Sequence, residues 1–517
     1  MALQGLWLGV AGSGGASALV PSYQWKFLSA KEKDAVDKSI AFIRSHRIQN
    51  VSLNIMDDAG HPYTGPLSIT QDSTSFIFWV GDPDWPQAGK WKEYLAMTPS
   101  RTYYMYGASW KYVEPSKYVF GLSDADYDYS KGLLHGIVDF HVLMGPDMGG
   151  PFPETPPDWA MHSDYETYKT HLMKYVEFLV THLKGKVHYY LLWDEANVWY
   201  GNGNWPIERI IEIIKLEAVT IRSIDPEAKI VTALTEISPE RLRDFEKTAE
   251  GHNWTTEDFV RRLVAADVPF DIIGIDSYYG CQPWPSRAGD LYTLYNRLAT
   301  LGEFRKPLYV WESGPVSYIA PHYLTEGLQY LWHGAPTEEK QAEYILAETL
   351  ILLGNPLMTG VRFNILYDRP VLTDSYHSYQ GLIHTNGTQK RAFSALQELW
   401  NNLTVNNVTL QSDNGAAVFR GLAGNYTLNV EGYRSVKFEV SNGKSNLTLS
   451  LTSLNPTTMT TEVTSTSLAS TSQASQGPAL SLAGNMVLGI LLGVVVVIAL
   501  ALATRRFLVR RSGALSR

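Results

Sequence analysis

Two carboxylates in this chain stand where apolar runs stop. His188-Tyr-Tyr-Leu-Leu-Trp-Asp-Glu-Ala-Asn197 is aromatic and apolar until it meets Asp194 and Glu195, and Pro307-Leu-Tyr-Val-Trp-Glu-Ser-Gly314 runs the same way into Glu312. Runs this short and this apolar read as strands covered on both faces, as in a parallel sheet between helices. Side chains at the C-terminal ends of such strands form the active site of a (β/α)8 barrel. A pair of carboxylates placed there suits retaining glycoside hydrolysis, one acting as acid/base and the other as nucleophile. That mechanism needs one carboxyl neutral and the other ionised at working pH, so their surroundings must differ. Trp193 and Trp199 beside Glu195 suit the neutral partner, and a donor such as Tyr278 suits an anionic Glu312.

The segments between these runs have the rhythm of an α/β fold. Helical periodicity marks residues 165–183, 207–224, 256–266, 289–301, 337–353 and 390–400. Strand-like runs at 136–143, 187–193, 229–233, 271–276, 307–311 and 360–365 separate them. Asp225-Pro226 and Gly354-Asn355-Pro356 punctuate the alternation. Six such units are the last two-thirds of a barrel. The earlier strands are drawn from 50–55, 75–80, 102–106 and Leu6–Val10, two candidates more than an eight-stranded barrel has room for.

The motifs, in chain order, resemble clan A of the glycoside hydrolases, which includes family 5 cellulases, family 10 xylanases, family 39 glycosidases and family 42 galactosidases. Trp193-Asp-Glu-Ala-Asn197 is similar to the clan's Trp-Asn-Glu-Pro-Asn at the end of strand four, a resemblance that gives Glu195 the acid/base role. Leu308-Tyr-Val-Trp-Glu-Ser-Gly314 resembles the strand-seven segment and gives Glu312 the nucleophile role. Asp271-Ile-Ile-Gly-Ile-Asp-Ser-Tyr278 is similar to the strand-six Asp-Val-Ile-Gly-X-His-X-Tyr, whose Tyr bonds the nucleophile. The stretch from Gly381 to Leu396 resembles the passage that closes many such barrels. Two departures stand out: Asp194 replaces the usual Asn before the acid/base, and Asp276 replaces the strand-six His.

Further substrate-binding candidates are Asp194, Asn197, Tyr278, His141 on the third strand, and Glu236 at the end of the fifth, with a helix cap as the alternative for Glu236. Trp159, Trp199 and Trp284 are candidate sugar platforms, with core packing as their alternative. The Gly/Pro-rich residues 145–159 form a long loop suited to binding. The 13 His lack the spacing of a zinc site, so neither metal nor other cofactor is expected.

Composition narrows the substrate. The formal charge is −9, and −14 once the tail arginines Arg505, Arg506, Arg510, Arg511 and Arg517 are set aside. An acidic body without a basic stripe argues against nucleic acid and favours a neutral glycan. Tyr (30) and Trp (15) are abundant while charged residues are only 18%, against roughly 25% in ordinary domains. Flat aromatic faces suit sugar rings, though most must fill cores. Cys281 is the single cysteine, which excludes an intramolecular disulfide.

Residues 401–451 alternate apolar and polar positions between Gly and Asn, the pattern of a small antiparallel β domain. Thr452–Gln476 holds 14 Ser or Thr in 25 residues, a composition that builds no core and reads as a disordered, O-glycosylated stalk spanning 452–481. Four Asn-X-Ser/Thr sequons, at Asn402, Asn407, Asn425 and Asn446, lie close to it. Met486–Ala503 is 18 residues without charge, about 27 Å as a helix and close to the ~30 Å of a bilayer core. The arginines of 505–517 follow at once and place that end in the cytoplasm. Residues 1–20 fit either a first strand or an atypical export signal.

The expected architecture is therefore α/β: a (β/α)8 TIM barrel over 1–400, a small all-β domain over 401–451, the stalk, a transmembrane helix over 486–504 and a basic tail. The expected protein is an extracellular, membrane-anchored retaining glycosidase, endo-acting on a neutral β-linked polysaccharide such as β-glucan, xylan or mannan. An exo β-glycosidase and a non-catalytic cell-surface glycan-binding protein remain open alternatives.

Overall fold

A computed structural model describes residues 19, 23–81, 90–145, 156–198, 205–248, 253–319, 327–369, 376–443 and 446–454. Its strands, in chain order, are β1 (Ile48–Met56), β2 (Gly65–Thr74), β3 (Ile77–Val80), β4 (Thr102–Tyr104), β5 (Asp139–Leu143), β6 (Tyr189–Asp194), β7 (Lys229–Thr235), β8 (Ile273–Asp276), β9 (Leu308–Ser313), β10 (Met358–Phe363), β11 (Val408–Ser412), β12 (Ala416–Leu422), β13 (Gly424–Asn429), β14 (Val436–Val440) and β15 (Asn446–Ser450).

Strands β3 to β10 form one parallel sheet of eight in the spatial order β3-β10-β9-β8-β7-β6-β5-β4. The first and last strands of the series pair in parallel, Ile77 with Gly360 through Val80 with Phe363, so the sheet curls on itself as a (β/α)8 barrel does. No ladder joins β3 to β4 among the described residues. The Ser100 hydroxyl bridges that seam, accepting from Phe78 N (3.1 Å) and donating to Phe78 O (2.8 Å).

Alternation sorts the strand residues. Trp79, Tyr104, Leu191, Val231, Tyr309 and Trp311 form a buried cluster inside the barrel. Their neighbours Phe78, Val80, Tyr190, Leu192, Val310 and Val361 join the larger core between strands and helices. The interior is packed: Trp79 Nε1 donates to Tyr309 Oη at 2.7 Å. The helices follow the sequence period closely. Tyr165–Leu183 starts at the N-cap Asp164, Thr256–Ala265 at Thr255, Leu291–Gly302 at Asp290 and Glu338–Leu353 at Thr337. Each cap side chain accepts a backbone N–H that the first helical turn leaves unpaired.

The β domain differs from expectation. Residues 50–55, offered above as a barrel strand, belong to β1, which sits between β12 and β15. β2 sits between β11 and β13 in a second sheet that ends with β14. Residues 48–74 thus complete the sheets begun by 408–450. The set is not wholly antiparallel either, since β1 runs parallel to β15. The two sheets share a core that includes Val51, Ile55, Ile69, Phe419, Tyr426 and Val440. The five late strands alone would have left the inner edges of both sheets unpaired, which is why two early strands are recruited.

Leu6–Val10, the stalk from residue 455 onward and the expected span 486–504 lie outside the described residues. Among the described residues no helix is long and apolar enough to cross a membrane.

Candidate active site

Both glutamates stand at the C-terminal ends of their strands, and a register shift prepares each position. On β6, Leu191 pairs with Val231 but Asp194 pairs with Ala233, which leaves one extra residue on β6. Leu192 and Trp193 consequently both face the outer core, where Trp193 packs edge-on to Trp205 with ring centres 5.6 Å apart. On β9 the extra residue is Trp311: Val310 pairs with Ile275, and Glu312 with Asp276. Bulges of this kind re-aim side chains at functional sites.

Glu195 follows β6 with φ +47, a left-handed conformation uncommon for a residue with a Cβ. Its N–H donates to Ala233 O at 2.7 Å. Its Oε1 accepts from the Thr235 hydroxyl at 2.5 Å and lies 3.5 Å from Arg287 Nη2. The Arg287 guanidinium stands 5.3 Å over the Tyr278 ring.

Glu312 has a second, separate set of partners. The Tyr278 hydroxyl donates to Oε2 at 2.7 Å and itself accepts from Asn364 Nδ2 at 3.0 Å. Arg362 Nη1 donates to Oε1 at 3.1 Å. Burial first, and then the Glu312 charge, pushes the Tyr278 phenol well above its usual range, so it remains a donor. Gly314 lets the chain leave this strand close to β10, because a Cβ there would fall 2.6 Å from Asn364 O.

Asp276, at the end of β8, is 1% exposed, and among the described residues neither of its carboxyl oxygens has a hydrogen-bond partner. Burial, followed by the charges of Glu312 and Glu195, drives this carboxyl well above the usual range against the weaker pull of Arg287 and Arg362. The centre therefore combines three carboxyls with two guanidiniums, and burial biases the carboxyl cut off from water toward its neutral form.

The other sequence candidates divide. Tyr278 sits where expected, Asp194 closes β6 half-buried, and Trp284 is 40% exposed on the segment after β8. Four candidates are placed elsewhere. Asn197 is fully buried and clamps Thr235, donating to its carbonyl (2.8 Å) and accepting its N–H (2.9 Å). His141 lies inside the barrel, bonded to Asp139 Oδ2 at 3.0 Å and packed against Tyr189 and Trp79. Glu236 is buried in an ion pair with Arg297 (2.5 Å) and accepts from Tyr279 Oη (2.9 Å). Alternation explains it: Val231 and Ala233 face inward, so Thr235 does too, and Glu236 turns away. Trp159 packs edge-on to Trp110 and donates to Glu114 O at 3.2 Å, a core role. Trp199 and most of the 145–159 loop lie outside the described residues.

Sequence reading missed Thr235, Arg287, Arg362 and Asn364. The same alternation could have found Thr235, and a lone arginine inside the apolar run of β10 could have flagged Arg362. Arg287 ends the short 3-10 turn Pro285–Arg287 and carries no local signal. Among the described residues no group of three or more His, Cys, Asp or Glu side chains could hold a metal ion.

No protein-family model matches the chain. Among solved structures it is similar to xylanase 10B from Thermotoga petrophila RKU-1 in complex with xylobiose, with a TM-score of 0.47 and 15% identity over 63% of this chain and 94% of that one. It is also similar to native xylanase 10B from Thermotoga maritima, with a TM-score of 0.45 and 14% identity over 71% and 97% of the two chains. A third is xylanase XynB from Paenibacillus barcinonensis, with a TM-score of 0.42 and 12% identity over 59% and 90%.

Proposed function

We propose that this chain is a retaining β-glycosidase with Glu312 as nucleophile and Glu195 as acid/base. One observation carries the reading: two carboxylates at the C-terminal ends of β6 and β9 of a parallel barrel, each with its own partners. Glu312, held by the Tyr278 hydroxyl and Arg362, attacks the anomeric carbon. Glu195 gives its proton to the departing glycosidic oxygen, then takes one from the water that releases the glycosyl-enzyme. Asp276, which burial biases toward its neutral form, adds no second negative charge beside Glu312.

The substrate in this reading is a neutral β-linked polysaccharide, cleaved internally, with Trp284 as an exposed platform. Asp194 accepts a hydrogen bond from a sugar hydroxyl. The chain acts outside the cell, tethered by residues 486–504 with the basic tail in the cytoplasm, a topology that rests on sequence. A polymer too large to import suits an anchored enzyme.

The test is reducing-end release by the full chain on β-glucan, xylan and mannan, beside Glu312→Gln. Activity that disappears in the variant supports the site and names the polymer. Activity that survives in it overturns the assignment. A second reading, glycan binding without hydrolysis, is favoured by the Arg287 guanidinium 3.5 Å from Glu195, since a cation there stabilises the anion. Folded wild-type protein that retains a glycan yet releases no reducing ends would establish it.

A further inference from the structure

Thr235 ends β7 facing the barrel axis, and its backbone is held on both sides by one side chain. Its N–H donates to Asn197 Oδ1 at 2.9 Å, and its carbonyl accepts from Asn197 Nδ2 at 2.8 Å. Asn197 is fully buried and also donates to Trp254 O at 3.2 Å, so the clamp is itself anchored. The Thr256 hydroxyl adds a longer bond to Thr235 O at 3.3 Å. From this fixed backbone the Thr235 hydroxyl reaches Glu195 Oε1 at 2.5 Å, the same oxygen that Arg287 Nη2 approaches at 3.5 Å.

We propose that Thr235 is a positioning residue for the acid/base: its hydroxyl pins Oε1 of Glu195 as an acceptor, so that Oε2 carries the transferable proton. The inference rests on the reading of Glu195 as the acid/base. An oxygen that already meets a hydroxyl hydrogen and faces a guanidinium is a poor place for a carboxylic proton, because donor would confront donor. The proton therefore sits on Oε2. In the first step the C–O bond to the leaving sugar breaks, its electron pair goes to the glycosidic oxygen, and that oxygen takes the Oε2 proton as Glu312 bonds to the anomeric carbon. In the second step water attacks that carbon, Oε2 takes the water proton, and the bond to Glu312 breaks with its electron pair returning to the carboxylate. Thr235 keeps its proton throughout. Asn197 belongs to the same device at one remove, which explains a fully buried asparagine two residues after the acid/base.

The experiment compares the full chain with Thr235→Val and Thr235→Ser on two aryl β-glycosides built on the sugar of whichever polymer is cleaved. The phenyl glycoside needs a proton to depart, and the 2,4-dinitrophenyl glycoside does not. The valine variant is expected to lose about ten-fold or more in kcat/KM on the phenyl substrate and distinctly less on the dinitrophenyl one. The alkaline limb of its pH profile should move, and serine should restore both properties. Equal losses on the two substrates, or none, would overturn the proposal, and circular dichroism of the serine and valine forms identifies loss through misfolding. Glu195→Ala separates this inference from the reading beneath it. If its loss is independent of the leaving group and azide does not rescue it, the acid/base assignment falls. If it behaves as an acid/base variant while Thr235→Val shows no leaving-group dependence, only the positioning role falls.

Discussion

Arg362 donates to Glu312 at 3.1 Å while its guanidinium lies 4.5 Å over the ring of Trp311, the residue immediately before that glutamate. It also stands 5.1 Å over Trp79. One cation thus ties the candidate nucleophile to the aromatic packing of the barrel interior. Stacking on flat rings while bonding a carboxylate is a guanidinium property that an ammonium lacks.

Arg362→Lys is therefore not conservative. It should lower kcat/KM by about ten-fold or more, as expected when a charge-assisted bond worth about 1.5–3 kcal/mol is lost. Steady-state kinetics on the cleaved polymer checks this, and wild-type values in the lysine variant would contradict the stacking argument.

Tyr278→Phe removes the donor to Glu312 Oε2 and the acceptor for Asn364, and changes no packing volume. A drop of about 10- to 100-fold in kcat/KM is expected, with the circular dichroism spectrum unchanged. A variant as active as wild type would mean that Glu312 does not depend on this hydroxyl.

Burial pushes the carboxyls of Glu217 and Glu348 up to about 8. Among the described residues, Tyr168 and Tyr175 feel the Glu217 charge and Cys281 and Tyr344 that of Glu348, and none of these four is a cation. Unfolded, each carboxyl ionises near 4.5. Between these values the folded chain keeps protons that the unfolded chain gives up. Their contribution to stability is thus full below about pH 4.5 and lost as pH rises to about 8, a few kcal/mol per group at about 1.4 kcal/mol per unit. Asp276 is shifted in the same direction. Thermal melts should show a drop in Tm between pH 5 and pH 8 that Glu348→Gln and Glu217→Gln make shallower. Identical slopes in wild type and variants would rule the effect out.

Arg297 joins two buried carboxylates, Glu236 at 2.5 Å and Glu257 at 2.6 Å. Arg297→Met strands both and should cost about 3–5 kcal/mol, read as a fall in the urea midpoint. Glu236→Gln should lower stability less and leave KM for the polymer alone. A raised KM in that variant would return Glu236 to the cleft.

Much of the barrel was legible. Helices 165–183 and 207–224 fall on the residues their periodicity marked, and the strands from 139 onward lie within a few residues of theirs. Long amphipathic periods and doubly buried runs are local signals. The β domain was legible only in part: residues 50–55 carry a sound strand pattern, but no local feature says whether that strand joins a barrel or a sandwich. The strand-end positions of Glu195 and Glu312 were legible because each closes an apolar run, and Tyr278 lies two residues past the end of β8. Asn197, His141, Trp159 and Glu236 are polar or aromatic for internal reasons, each satisfying a partner distant in sequence.

Residue type and short-range spacing suffice for the α/β rhythm, the two strand-terminal glutamates and the acidic, cysteine-poor character of the chain. Which side chains face the axis past the bulges of β6 and β9 is set by tertiary pairing. An extra residue on β6 and another on β9 shift the alternation by one, and such a shift turns every later side chain to the opposite face. Tertiary structure also decided which partners meet the two carboxylates. Thr235 with Arg287, and Tyr278 with Arg362, reach their glutamates across 34 to 92 positions of chain, a distance that only closure of the sheet removes.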